Sequence, residues 1–139
     1  MFFTSRLAIL QVMRGKKPDH GRGTALAESP TGPQGEQIKG RVWVEKDGET
    51  FLSWGRIVLL EHIRDLGSIA AAARSLNMAY SHAWTLVADM NRLAGEDLVA
   101  RNLGGRHGGR ASLTAAGEAE VARFWNLAKK FQEWLATQD

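Results

Sequence analysis

The stretch that decides the fold is Gly67-Ser-Ile-Ala-Ala-Ala-Ala-Arg-Ser-Leu76-Asn-Met78, continued by Ala79-Tyr-Ser-His-Ala-Trp-Thr-Leu-Val-Ala-Asp-Met-Asn-Arg-Leu93-Ala-Gly95. Ser68 is a good N-cap for a helix from Ile69 to Leu76, because its hydroxyl can accept from a backbone N–H that lacks a helical partner. Four consecutive alanines, Ala70 to Ala73, keep that helix thin enough for a second backbone to approach closely. Asn77-Met78 is a short break. A longer helix follows from about Ala79 to Leu93, with Ala83, Val87 and Met90 as its inner face and Gly95 as its C-cap. Two short helices, a tight turn and a small-residue contact predict a helix-turn-helix.

The flanks extend this motif. Arg41-Val-Trp-Val-Glu-Lys-Asp-Gly-Glu-Thr-Phe-Leu52 places β-branched and aromatic residues on both sides of Asp47-Gly48, a dipeptide suited to the positive φ values of a hairpin turn. Ile57, Leu60, Ile63 and Leu66 then recur at helical spacing, and Gly67 supplies a stop. After the motif, Leu98-Val-Ala-Arg101 and Arg110-Ala-Ser-Leu113 read as short strands joined by the glycine-rich loop Gly104 to Gly109. Thr114 caps a last helix to about Ala136, with Glu118 near its positive end. The expected fold class is mainly α with small β elements, a winged helix-turn-helix with a leading β-hairpin and a long C-terminal helix.

Of the 139 residues, 44% are hydrophobic and 24% charged, enough apolar content for a real core in a chain of single-domain length. Cysteine is absent, which excludes a disulfide scaffold, a thiolate metal site and a cysteine nucleophile, and fits a reducing cytoplasm. Lys and Arg number 18 against 15 Asp and Glu, a formal net charge of +3. That excess lies wholly in residues 1–40, where Arg6, Arg14, Lys16, Lys17, Arg22 and Lys39 stand against Asp19, Glu28 and Glu36, whereas residues 41–139 are neutral. Pro18, Pro30 and Pro33 lie in the same segment, which lacks apolar periodicity beyond residue 13, so residues 1–40 are expected to be a disordered tail. Met1 to Met13 is apolar but too short to span a bilayer, and no basic residue precedes it as a secretory leader requires, so no membrane partner is expected. It reads as a frayed or loosely docked terminus, and a translation start at Met13 is as compatible with it as one at Met1.

The run from Gly67 to Leu76, then Met78, Tyr80, Ala83-Trp84, Asp89-Met90-Asn91, Gly95, Leu98-Val99, Gly104-Gly105-Arg106, Gly108-Gly109 and Leu113-Thr114-Ala-Ala-Gly-Glu118, resembles the DNA-binding domain of the ModE molybdate-responsive regulators. A more distant resemblance connects it to the LysR-type regulators. The likeness covers about residues 41–136 and implies a dimeric winged helix-turn-helix that binds operator DNA as a transcriptional regulator. Members of that family carry a further molybdate-binding domain, and no molybdate site is visible in this chain. Ala79 stands where a serine is usual, Ser81 and His82 where basic residues are frequent, and Asp97 where a proline is common before the first wing strand. The corresponding domain division is a tail at 1–40, a winged helix-turn-helix DNA-binding domain at 41–113 and a dimerisation helix at 114–139.

A recognition helix enters the major groove by its N-terminal turns. Here the outward positions are Tyr80, Ser81, His82 and Thr85, all able to hydrogen bond and none carrying a fixed positive charge. Alternatively these are ordinary solvated residues. Positive charge gathers instead on the wing, where Arg101, Arg106, His107 and Arg110 accompany four glycines and no acid from residue 101 to 110. Glycines let the backbone approach phosphates or a narrow minor groove, and arginine pairs well there, although Gly-Gly pairs also make plain hairpin turns. Arg74 either contacts a phosphate from the first helix of the motif or faces solvent. Trp84, flanked by apolar helix positions, is expected in the core rather than stacked on bases.

On the last helix, Val121, Phe124, Ala128, Phe131 and Leu135 form a stripe that Trp125 and Trp134 widen. So much apolar surface exceeds what a small winged domain can cover, which suggests antiparallel pairing with a second copy to form a homodimer. The alternative is packing on the chain's own hairpin through Trp43 and Phe51. Catalysis has little support: His20, His62, His82 and His107 are scattered, no metal-ligand spacing appears, and neither a nucleophile elbow nor paired carboxylates are present. The expected partner is double-stranded DNA, with no cofactor and no metal. The competing possibility is a protein-interaction module on the same scaffold, with little DNA affinity.

Overall fold

The computed structural model describes residues 35–102 and 109–138. Most of the expected tail, residues 1–34, lies outside them, as do Arg106 and His107 of the wing loop. Residues 35–43 carry no regular element. The elements run β1 (Val44–Lys46), β2 (Glu49–Leu52), α1 (Trp54–Leu66), α2 (Ile69–Ser75), α3 (Tyr80–Ala94), β3 (Val99–Asn102), β4 (Arg110–Leu113) and α4 (Ala115–Ala136). Val42–Leu127 form one compact unit, while described residues 35–41 and 128–138 belong to a second. The winged helix-turn-helix with a leading hairpin and a long last helix is the architecture present.

Local chemistry accounts for most boundaries. Asp47 and Gly48 take φ values of 53° and 78°, closing the β1–β2 hairpin with the twist that suits paired strands. Ser53 caps α1 through its hydroxyl, which accepts from the Arg56 N–H, so this helix begins three residues before the Ile57 that opens its apolar repeat. Gly67 ends it at φ 73°, with its N–H donating to the Ile63 carbonyl at 2.8 Å. Ser68 Oγ accepts from Ala71 N–H at 2.8 Å and opens α2. Asn77 then adopts φ 53°, a left-handed conformation that asparagine tolerates and that turns the chain into α3. Gly95 stops α3 at φ 72°.

Burial follows the helix-turn-helix logic. Ile57, Leu59, Leu60 and Ile63 of α1 are fully covered, whereas Leu66, part of the expected apolar stripe, is half exposed because it lies on the last turn beside the Gly67 stop. Ala72 and Ala73 of α2 and Ala83, Val87 and Met90 of α3 are buried, the alanines allowing close helix contact. Phe51 and Leu52 bring β2 into the same core. Trp125 packs edge-on to Trp54 with ring centroids 5.1 Å apart, and its indole N–H donates to Glu61 Oε1 at 2.6 Å, joining α4 to α1.

This arrangement corrects part of the expectation for α4. Val121 and Phe124 are buried within the chain itself, because α1 runs alongside the first turns of α4. Ala128 and Leu135 are buried as well, Trp125 and Phe131 are half-buried, and Trp134 is 55% exposed. Val121, Phe124 and Ala128 therefore present no open face to a second copy.

Candidate nucleic-acid interface

The start of α3 is built to be open. Ala79 occupies its N-cap position in an extended conformation, and with a methyl side chain it offers no capping oxygen. The backbone N–H groups of the first turn thus have no side-chain acceptor, and the positive end of a 15-residue helix is left uncovered by any acid of its own first turn. Tyr80, Ser81, His82 and Thr85 are all exposed around this end. Thr85 Oγ1 donates to the Ser81 carbonyl at 3.0 Å, so its hydroxyl proton is used within the helix and its lone pairs remain for a donor from outside.

Trp84 departs from the expected core position. Its ring is half-buried, with Tyr80 edge-on at 6.4 Å. The Arg101 guanidinium lies over the indole at 3.6 Å from the ring centroid. Trp84 follows Ala83 by one residue, about 100° around the helix, which turns it from the inner face toward strand β3. Its role as a bridge between α3 and β3 went unread in the sequence. The available signal was the pairing of an aromatic one position off the inner face with an arginine in the following strand.

The wing is anchored firmly at its base. Asn91 Oδ1 accepts from the backbone N–H groups of Leu98 at 2.8 Å and Val99 at 3.3 Å. Strands β3 and β4 then pair in register, Val99 with Leu113 through Asn102 with Arg110. Ala111 N–H donates to the Gly67 carbonyl at 2.9 Å, fixing β4 to the end of α1. Thr114 closes the other side, its hydroxyl donating to the Asp97 carbonyl at 2.7 Å and accepting from Gly117 N–H at 3.0 Å. Arg101 and Arg110 are exposed on this frame, and neither pairs with a carboxylate among the described residues. Arg74 is likewise exposed in the last turn of α2.

Acidic groups are handled at the far end of α3. Arg92 pairs bidentately with Glu49 at 2.9 and 3.0 Å and also meets Asp89 at 3.5 Å. The Arg92 hydrogen bonds and charge hold the Glu49 carboxyl below its ordinary pKa, and Glu49 in turn raises that of Arg92. No acid occurs from residue 79 to 88, so the exposed start of α3 keeps its positive helix end unopposed. Sequence reading thus identified Tyr80, Ser81, His82, Thr85, Arg74, Arg101 and Arg110 as exposed polar groups, and the fold brings both Tyr80 and Arg101 against Trp84.

The chemistry available is hydrogen bonding and charge. His62 Nδ1 lies 2.6 Å from Ser75 Oγ, but the serine proton already goes to the Ala72 carbonyl. The imidazole therefore donates to the hydroxyl, the reverse of a base activating a nucleophile. Among the described residues no group of three or more His, Asp or Glu could hold a metal ion, and no helix is long and apolar enough to cross a membrane.

Comparison with known proteins agrees with this geometry. Residues 54–118 match the family described as bacterial regulatory helix-turn-helix protein, lysR family. The chain is 42% identical over 95 residues to the molybdenum transport protein ModE of Azotobacter vinelandii, covering 68% of this chain and 35% of that protein. It is 46% identical over 73 residues to the transcriptional regulator ModE of Yersinia pestis, covering 52% of this chain and 28% of the relative. With the DNA-binding transcriptional dual regulator ModE of Escherichia coli K12 the identity is 37% over 78 residues, 56% of this chain and 29% of the relative. The chain spans about a third of the length of these relatives. The resemblance read from the Gly67–Leu76 run and the wing residues holds, and residues 54–118 carry a helix-turn-helix domain of the bacterial regulatory lysR type.

Proposed function

We propose that the chain is a sequence-specific, double-stranded DNA-binding transcriptional regulator that acts as a dimer. Helix α3 enters the major groove, with Tyr80, Ser81, His82 and Thr85 at base edges. Arg101, Arg106, His107 and Arg110 of the wing hold phosphates or the minor groove, and Arg74 meets a phosphate from α2. The observation that carries this function is the uncapped, acid-free start of α3 with four exposed hydrogen-bonding side chains beside a wing whose arginines lack carboxylate partners among the described residues. Similarity to proteins named as transcriptional regulators, one of them DNA-binding, supports it.

The second copy pairs through the later turns of α4. Phe131 and Trp134 stack at 6.1 Å with planes 17° apart, and Trp134 is largely exposed. An exposed aromatic on a helix of about 33 Å suits self-complementary pairing about a two-fold axis. Selection of bound duplexes from a random pool tests the function. The expected result is an enriched motif with two inverted half-sites about one helical turn apart. An unenriched pool contradicts sequence reading and favours the protein-interaction module that the neutral charge of residues 41–139 also permits.

A further inference from the structure

The Arg101–Trp84 stack has a consequence for how the wing grips a duplex. The guanidinium carbon lies over the indole, 3.6 Å from the ring centroid, a cation–π contact that covers one face of the group and leaves N–H donors for a further partner. Arg101 is exposed and pairs with no carboxylate among the described residues. Trp84 is itself fixed, by Tyr80 edge-on and by its place in α3 next to buried Ala83. A free arginine loses rotamer freedom when it meets a phosphate, whereas one already laid on an aromatic plane has lost it beforehand. The stack also ties β3 to α3 near the same helix end that carries Tyr80, Ser81 and His82.

We propose that Trp84 is a positioning residue for DNA binding: its indole plane pre-orders the Arg101 guanidinium so that its N–H edge meets a backbone phosphate beside the start of α3. This rests on the duplex-binding function proposed above. Trp84 contributes no charge and contacts no base. Its effect passes through Arg101, and the division of the guanidinium into a covered face and remaining N–H donors is what makes one aromatic residue change a charge contact.

The test measures anisotropy of a fluorescein-labelled mixed-sequence duplex over a salt series, with the whole chain and its variants. Arg101→Ala is expected to weaken binding roughly five- to tenfold at low salt and to flatten the log K against log salt slope by about 0.9, the signature of one lost phosphate contact. Trp84→Leu, which removes no charge, is expected to weaken binding part of the way toward Arg101→Ala while keeping the salt slope, and Trp84→Phe to restore most of the affinity. The double variant W84L/R101A should bind no worse than R101A. Additive losses in the double variant, or unchanged affinity in W84L, would overturn the proposal by showing that Trp84 does not act through Arg101, with thermal unfolding of each variant confirming the folded state. Proton NMR of the free protein separates the two levels: Arg101 side-chain protons should be shifted upfield by the indole and return on Trp84→Leu. If the wild type shows that shift yet fails to bind the duplex, the DNA-binding function falls and takes the positioning role with it. Binding without the shift overturns the positioning role alone.

Discussion

Gly117 lies against the carbonyl of Leu98, so closely that a β-carbon at position 117 would overlap the Leu98 oxygen. The contact seats the first turn of α4 on the segment entering the wing, beside the Thr114 hydrogen bonds. On helix propensity alone, Gly117→Ala would stabilise by about 1 kcal/mol. Because the obstacle is backbone, the expected outcome is the opposite sign, a loss of about 2–3 kcal/mol in chemical denaturation. A stabilised Gly117→Ala variant would show that α4 does not sit this close to the wing.

Asn91 supplies the acceptor for two backbone N–H groups at the wing base, and Leu98 there is buried. Asn91→Ala leaves both donors without that acceptor and is expected to cost about 1–3 kcal/mol. Hydrogen exchange should speed at Leu98 and Val99 before it speeds at Met90 on the inner face of α3. Uniform acceleration across the chain would contradict a local anchoring role.

These two anchors show what was legible in advance and what was not. Asp47-Gly48, Ser68, Gly67 and Gly95 act through their own backbone or the next turn, so their places in the chain announced the hairpin, the N-cap and both helix stops. The start of α1 was harder, because Ser53 and Trp54 precede the apolar repeat that begins at Ile57. Trp84 is half-buried and not in the core, since helical spacing says which way a side chain points but not that Arg101 will come to cover it. For Val121 and Phe124 the spacing shows an apolar face but not its cover, because the covering helix α1 is more than fifty residues away in sequence. Contacts of that range are set by packing, which single-sequence periodicity does not contain. At the candidate interface, residue types were readable and their mutual geometry was not.

The Glu49–Arg92 pair should make a small, pH-dependent contribution. Arg92 lowers the Glu49 pKa, so the pair stabilises the fold above the ordinary carboxylate range and the contribution disappears as pH falls through the depressed value. Glu49→Gln is expected to reduce the melting temperature slightly at neutral pH, with wild type and variant converging in acid. Both side chains are exposed, so the difference should also shrink with added salt. A difference that grows in acid contradicts this pairing.

For assembly, Trp134→Glu should shift the chain toward monomer in sedimentation velocity without unfolding it, since Trp134 is exposed. Phe124→Ala should instead lower stability by about 3–5 kcal/mol, since its ring is fully buried in the chain. Equal effects of the two substitutions on stability would contradict the division between an inward and an outward part of α4.

The two groups of candidate DNA contacts should separate cleanly. Arg106→Ala with Arg110→Ala is expected to weaken binding to all duplexes and to reduce the salt slope by up to about 2. Tyr80→Ala or His82→Ala should change which duplexes are selected, with a penalty of about 1–3 kcal/mol confined to particular base positions. Equal, sequence-independent losses from both groups would contradict the assignment of base reading to α3 and phosphate holding to the wing.

The most direct measurement is anisotropy of the wild-type chain, tail included, titrated into a selected duplex and a scrambled one at two salt concentrations. Duplex recognition predicts tighter binding to the selected sequence, with affinity for both falling steeply as salt rises. Absence of binding to either duplex even at about 50 mM salt, where phosphate contacts are strongest, would contradict it.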